Sequence, residues 1–328
     1  MMNKDIYCEI DFLKVLFDRL SRTYSPLDDD WEEGDCARKI VKLLSQGSVI
    51  IRFDDTEKFI QLQRENEYFF KIVKRSESTD GYPEMRCDSF ISIDSLKEEG
   101  LNALYFVVSG DQGATQKGVM ALTPTTINNS NLYKDFGEGI KDKEICKWGN
   151  LLRNAKHNCN AIIAFDNFLY KRKESNLFPI FDALLPEALP LNISFQILIF
   201  MQLKEGMKVE KEYEIIYDAL KRMRPNLLFE LTVYQCYTAD FHDRAIATNN
   251  LWIGCEGGFD LLKIDKYGFH TQSTKDTKTH IIYPFLQESS NWSVKSYNNL
   301  MHDALHIIKS HQPIGSKNCN RILKDYVE

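Results

Sequence analysis

An imidazole and a guanidinium two positions apart, His242 and Arg244, stand at the head of a short apolar run, residues 245–248. Arginine keeps its charge at any physiological pH and grips a phosphate through a planar two-pronged fork. Histidine titrates near neutrality and serves as a nucleophile or proton carrier. The chemistry this pair suggests is recognition of an oxyanion, with attack on it or proton transfer to it as the further step. Asn249 and Asn250 mark a turn, and a second apolar run, residues 251–255, leads to Gly257 and Gly258. The pair is therefore expected at the mouth of a β-hairpin. The plainer alternative is a surface ion cluster of His242 and Arg244 with Asp240 and Asp243.

The segments upstream must carry this hairpin. Residues 160–165, NAIIAF, form a continuous apolar run, as a central strand buried on both faces does. Asp166 follows at its carboxyl end, where ligand sites of open α/β sheets gather. It reads as a wall residue of the site or, equally well, as a helix cap. Residues 177–189 are predicted as an amphipathic helix interrupted by Pro179 and Pro186, and residues 193–201 as a second buried strand. Residues 209–222 have helical spacing, with Val209, Tyr213, Ile216, Tyr217 and Leu220 on one side. A strand over residues 227–237 then delivers the chain to His242.

The spacing resembles one half-site of the phospholipase D superfamily, which carries H-x-K-x4-D on a strand followed by a turn and a strand ending in Gly-Ser. Here the frame reads His242-x-Arg244-x4-Asn249 and then Gly254-Cys255. Arginine replaces lysine, asparagine replaces aspartate, and cysteine replaces serine. The His-Asp-Arg form is also similar to the C-terminal phospholipase-D-like domain of MIT-domain-containing proteins, a module that binds membrane lipid. The resemblance covers residues 159–260. It implies that His242 is nucleophile or acid, Arg244 the phosphate clamp and Asn249 its support. Asp166, Gly254 and Cys255 would line the substrate. It implies no metal and no cofactor, because the guanidinium supplies the charge stabilisation. The phosphohistidine mechanism needs two imidazoles, and no second H-x-K or H-x-R frame occurs in the chain. A catalytic form would thus be a homodimer that pairs two copies of His242. Three functions stay open: a metal-independent phosphodiesterase or nuclease, a catalytically silent module binding nucleic acid or anionic lipid, and a protein–protein adaptor.

The N-terminal half shows no such grammar. Helices are predicted over residues 11–20 and 36–44, and strands over 48–53, 58–62, 67–73, 89–93 and 101–108. The polar run 123–143 reads as a boundary and residues 145–156 as a helix. We therefore expect a smaller α+β domain over residues 1–145, ahead of a phospholipase-D-like α/β domain with a mixed sheet flanked by helices over residues 146–328. Gly110 and Gly113 lack the G-x-G-x-x-G spacing of a dinucleotide site. His302 and His306 have the i, i+4 spacing of a metal face without the glutamate of H-E-x-x-H, and read as an ordinary helix pair.

The chain has 328 residues and a formal net charge of -6. An acidic chain is not organised as a general nucleic-acid binder, although a local basic site is compatible with it. Its eight cysteines form no C-x-x-C pair and no zinc spacing. Scattered thiols of this kind, with a polar and acidic beginning and no run of some 18 apolar residues, point to a cytoplasmic chain without a transmembrane segment.

Overall fold

Two compact units divide the chain, Met1–Leu132 and Tyr133–Glu328. The structure is a computed structural model. It describes residues 4–22, 31–46, 49–78, 83–87, 89–110, 112–128, 152, 158–166, 173–203, 205–237, 244–255, 262–264, 270–272, 279–284, 292–317, 320–324 and 326. The expected boundary at 145/146 lies outside the described residues. Thr123 accepts from the backbone N–H of Thr126 at 3.2 Å and its own N–H donates to Thr126 Oγ1 at 2.7 Å. These bonds close a 3-10 turn, Thr126–Asn128. The predicted helix 145–156 lies outside the described residues except for Leu152.

Unit 1 runs β1 Lys4–Cys8, α1 Ile10–Arg22, α2 Trp31–Leu44, β2 Val49–Phe53, α3 Thr56–Glu65, α4 Glu67–Ser78, β3 Glu84–Arg86, β4 Leu104–Phe106, α5 Gln112–Lys117 and β5 Met120–Leu122. The sheet order is β3-β2-β1-β4-β5, and every pairing is parallel. This is a doubly wound α/β arrangement and corrects the expected α+β domain. The error lies in residues 58–62 and 67–73, which are helical. Their aromatic and β-branched content suggested strands, but their caps decide the outcome. Asp55 accepts from the N–H of Lys58 at 2.9 Å, and Asn66 from that of Phe69 at 3.0 Å. Such caps contribute about 1 kcal/mol each and stop one helix where the next begins. Phe53, Phe59 and Phe69 then meet edge to face and tilted, at 4.9–6.0 Å. On the opposite face Tyr7 stacks on Tyr105 at 5.0 Å, with Phe90 edge-on at 5.8 Å. Residues 89–93, predicted as a strand, cross this face as irregular chain. They lead to a 3-10 helix, Glu98–Asn102.

Unit 2 begins with β6 Ala161–Asp166, followed by a π-helix Lys173–Leu177, α6 Phe178–Leu184, β7 Phe195–Gln202, α7 Val209–Met223 and β8 Phe229–Cys236. The hairpin β9 Ala245–Thr248 and β10 Trp252–Cys255 comes next, then β11 Leu262–Ile264, β12 His270–Gln272, β13 Thr279–Ile282, α8 Trp292–Ser310, β14 Pro313–Gly315 and α9 Arg321–Lys324. Seven strands make one mixed sheet, β13-β10-β9-β6-β7-β8-β14, while β11 and β12 pair separately. Strands β6, β7 and β8 are parallel. β9 returns antiparallel on the other side of β6. All six residues of β6 are buried, as its continuous apolar run requires.

Alternation assigns the two faces. Phe195, Met201 and Asp166 share one face with Phe229, which packs on Tyr217 of α7 at 5.2 Å. Phe165, Phe200 and Tyr234 share the other, their rings stacked in a row at 4.5 and 5.4 Å. Helix α6 is shorter than the predicted 177–189. The extended backbone of Leu185, at ψ 130°, ends it just before Pro186, as a residue preceding proline favours. No helix among the described residues is long and apolar enough to cross a membrane.

Candidate functional site

The hairpin forms as expected. Gly254 pairs with Ala245, and Ala245 with Phe165. One step further, the Cys255 N–H donates to the Arg244 carbonyl at 3.0 Å. Directly paired residues point to the same face of a sheet. The register therefore puts Asp166, Arg244 and Cys255 on the α7 face, at the carboxyl ends of the parallel strands. This is the edge where ligands of open α/β sheets bind. Arg244 Nε stands 3.9 Å from Asp166 Oδ1, with the side chains 22% and 8% exposed. At that separation the contact is Coulombic and too long for a hydrogen bond. Cys255 is buried beside them. His242 lies outside the described residues.

Two expected site residues are placed elsewhere. Asn249 sits at the opposite end of the hairpin, five residues from Arg244, or about 16 Å along an extended chain. It is buried. Its Oδ1 accepts from the N–H groups of Asn160 and Ala161 at 2.9 and 3.0 Å, and its Nδ2 donates to Asn160 Oδ1 at 3.1 Å. Asn249 thus fastens the turn to the start of β6 and reaches no substrate at the carboxyl edge. Its support of Arg244 is indirect, through the register of β9 on β6. Gly254 faces the other side of the sheet, in the row of Phe165. A Cβ there would lie 2.2 Å from the Trp252 ring. The glycine is required by that indole, not by a ligand beside Arg244.

The Asn249 contacts belong to a wider polar network at the amino edge. Arg321 Nη1 donates to the carbonyl of Asn160 at 2.6 Å and to its Oδ1 at 3.0 Å, and both Nη atoms reach the Ser194 carbonyl. Asn320 Nδ2 donates to the Ile162 and Gln196 carbonyls at 3.1 and 3.3 Å. These groups dock the C-terminal helix α9 on β6. Nothing in the pattern of residues 320–324 had singled them out.

A second buried ion pair escaped the sequence reading. Lys173 Nζ donates to Glu212 Oε2 at 2.6 Å, with the side chains 8% and 6% exposed. One signal was present. Glu212 lies four residues before Ile216, on the buried stripe of a helix whose periodicity was already legible.

Unit 1 has its own switch point, between β1 and β4, and two N–H groups there donate to carboxylates of the chain. Asp54 Oδ1 accepts from the Ile10 N–H at 2.9 Å, at the start of α1. Glu9 Oε2 accepts from the Val108 N–H at 2.7 Å, just beyond β4. A dinucleotide fold leaves such donors to the ligand's phosphates. Here carboxylates of the chain itself take them, in line with the missing glycine fingerprint. Asp11 adds a third carboxylate. Its hydrogen bond to Lys58, at 2.6 Å, holds its pKa below the usual range. Among the described residues no group of three or more His, Cys, Asp or Glu could hold a metal ion.

No family model matches the chain, and no curated protein matches it significantly.

Proposed function

We propose that unit 2 is a phosphodiester-recognising module of phospholipase-D-like type. It takes single-stranded nucleic acid at the carboxyl edge of its sheet, with Arg244 as the phosphate clamp. The observation that supports this most is the meeting of Arg244 and Asp166 at 3.9 Å, from two different strands, at that edge. Asp166 aims the guanidinium without a hydrogen bond along Nε–Oδ1, and a phosphate then enters as the bidentate partner. In this reading His242, two residues away in sequence, would act as nucleophile or acid on that phosphate. Three strands in sequence returning to an antiparallel hairpin are consistent with the phospholipase-D-like repeat.

An exposed aromatic residue at the carboxyl edge favours nucleic acid over a lipid headgroup. Tyr237, just past β8, is 65% exposed and contacts His311 at 5.8 Å. Trp292 is 50% exposed and packs edge-on against His280 at 4.5 Å, beside Gly254 in the ladder. Tyr237 follows β8 at the carboxyl edge, whereas Trp292 packs over His280 and Trp252 on the Gly254 face, the face opposite Arg244. An aromatic platform combined with a cation is a means by which proteins hold single strands regardless of sequence, at about 1–3 kcal/mol per base.

The test is fluorescence anisotropy of a labelled single-stranded oligonucleotide of about 16 nucleotides. Arg244→Ala should weaken binding about tenfold or more, as loss of a charge-assisted bond does. Tyr237→Ala should weaken it further, and Trp292→Ala, on the opposite face of the sheet, should leave it unchanged. Phosphatidylserine vesicles form the second arm. Vesicle binding that depends on Arg244, without oligonucleotide binding, would transfer the reading to lipid. Unchanged affinity of Arg244→Ala in both arms sinks it. Hydrolysis of bis-p-nitrophenyl phosphate that is lost in His242→Ala would extend the module to a homodimeric phosphodiesterase.

A further inference from the structure

The two crossover helices of unit 2 are tied together at both ends. Each follows a parallel strand and runs back from the carboxyl edge of the sheet to the amino edge, α6 after β6 and α7 after β7. At their finishing ends Arg224 Nη1 donates to Asp182 at 2.8 Å and its Nε to the Leu185 carbonyl at 3.1 Å. At their starting ends Lys173 meets Glu212. The Tyr217–Phe229 contact fixes this helix layer on the face that carries Asp166 and Arg244. The Lys173–Glu212 pair therefore shares both the face and the edge of the candidate site.

The two ties differ in kind. At the amino edge Asp182 is 64% exposed, as a surface clamp is. At the carboxyl edge both partners are more than nine-tenths buried. Burying two charges costs several kcal/mol of desolvation each, and an apolar pair of equal volume holds helices together as well or better. A clamp alone does not call for these charges. Beside a site that receives an anion, a buried lysine has a use.

We infer that Lys173 is the second cationic contact of the ligand phosphate, restrained by Glu212 until the anion arrives. This rests on the phosphate-recognition reading and deepens it. Arg244 and Lys173 supply two positive charges, which among the described residues stand opposite Asp166 and Glu212. The phosphate competes with Glu212 for the ammonium group, so Glu212 tunes affinity downwards. Lysine suits this role because its compact ammonium turns readily from one acceptor to another, whereas a guanidinium fork does not.

The experiment uses the full chain and the same labelled oligonucleotide. Glu212→Gln removes the competing charge and should tighten binding about three- to tenfold. The double variant Lys173→Met/Glu212→Leu replaces the pair by apolar side chains of similar size. It should keep the wild-type circular dichroism spectrum, bind about tenfold more weakly and lower the log–log salt slope by about 0.7, the share of one single-strand phosphate contact. A purely structural pair predicts the opposite pattern, with affinity unchanged in both variants whatever their melting temperatures. Unchanged or weaker binding by Glu212→Gln overturns the assignment, and this variant decides the matter if the double variant does not fold. If Arg244→Ala weakens binding while neither of these variants changes it, only the role of Lys173 falls. If Arg244→Ala is also silent, the phosphate reading falls with it.

Discussion

Asn249 separates a structural from a catalytic account of the hairpin motif. Truncation to alanine removes one acceptor that serves two buried backbone donors, the N–H groups of Asn160 and Ala161. Asn160 Oδ1 also loses a donor but keeps Arg321 at 3.0 Å, so it is not orphaned. Each unpaired buried donor costs about 1–3 kcal/mol, and two neighbours sharing one relaxation do not sum fully. The expected loss is about 2–4 kcal/mol. With a urea slope of about 2 kcal/mol/M, the unfolding midpoint of unit 2 moves down by roughly 1–2 M. Asn249→Asp is the control. A carboxylate accepts from both N–H groups, lies near the Arg321 guanidinium and forfeits only the Nδ2 donor. It should recover all but about 1 kcal/mol. Urea titrations followed by tryptophan fluorescence, with oligonucleotide affinity measured on the folded variants, give both readouts. A midpoint for Asn249→Ala within about 0.3 M of wild type would refute the reasoning. So would abolished binding at unchanged stability, since that is how a residue of the binding edge behaves.

Gly254→Ala tests the face assignment. The added Cβ meets the Trp252 ring, so the indole must turn or the strands shift. We expect a loss of at least about 1–3 kcal/mol by urea titration, with affinity kept in the molecules that remain folded. The thiols give a pH test. Burial pushes Cys159 up to about 12 and Cys8 well above its ordinary range, with Asp54 and Glu9 adding to the latter. Among the five described free cysteines only Cys87 is not buried, so it alone of these should react with iodoacetamide in the native protein at pH 8, as read by mass spectrometry. Because both raised thiols stay protonated in the fold and ionise on unfolding, their effect on stability is neutral below about pH 8.5 and destabilising as pH climbs beyond it. Thermal melts between pH 8 and 10 should show that decline. An alkylated Cys159 under native conditions would contradict the packing of β6.

How far the chain could be read depended on the range of the signal. Unit 2 was legible because β6, β7 and β8 carry continuous apolar runs that only a two-sided burial explains, and because the turn at Asn249 and Asn250 announces its hairpin locally. Unit 1 misled at residues 58–62 and 67–73. There the side-chain types favour a strand, while single residues just outside each segment, Asp55 and Asn66, start helices. Those capping signals lie in the sequence and outweigh composition once they are read. The division of the site was not legible at all. His242, Arg244 and Asn249 form one motif in sequence, but a strand carries residues five apart to opposite ends of a sheet. Which end faces a ligand follows from the pairing partners of β9, which are some eighty residues away. Lys173 and Glu212 are joined by two crossovers and have no local mark beyond a carboxylate on an apolar stripe.

The two edges of the unit 2 sheet treat charge differently, and this contrast supports the proposed carboxyl-edge site independently of the motif. At the amino edge the Arg321 guanidinium is buried among carbonyl oxygens at 2.6–3.2 Å. Asn160, Asn249 and Asn320 complete a network that holds α9 and the hairpin turn. Such hydrogen-bonded networks give rigidity and a single register. Among the described residues of the carboxyl edge, two opposed pairs stand out. One is set at 3.9 Å, and the other is buried at a desolvation cost that helix packing does not require. A sheet built for stability alone has no reason to treat its ends so unequally. Rigid fastening at one end holds β9 in register on β6, and that register is what brings Arg244 beside Asp166 at the other. Loosening the amino edge should therefore weaken binding only through the population of folded protein, whereas altering the carboxyl edge should change the affinity of the folded molecules themselves. Plotting affinity against stability for Asn249, Arg321, Arg244 and Glu212 variants separates the two. The first pair should fall on a line set by the folded fraction, and the second pair off it.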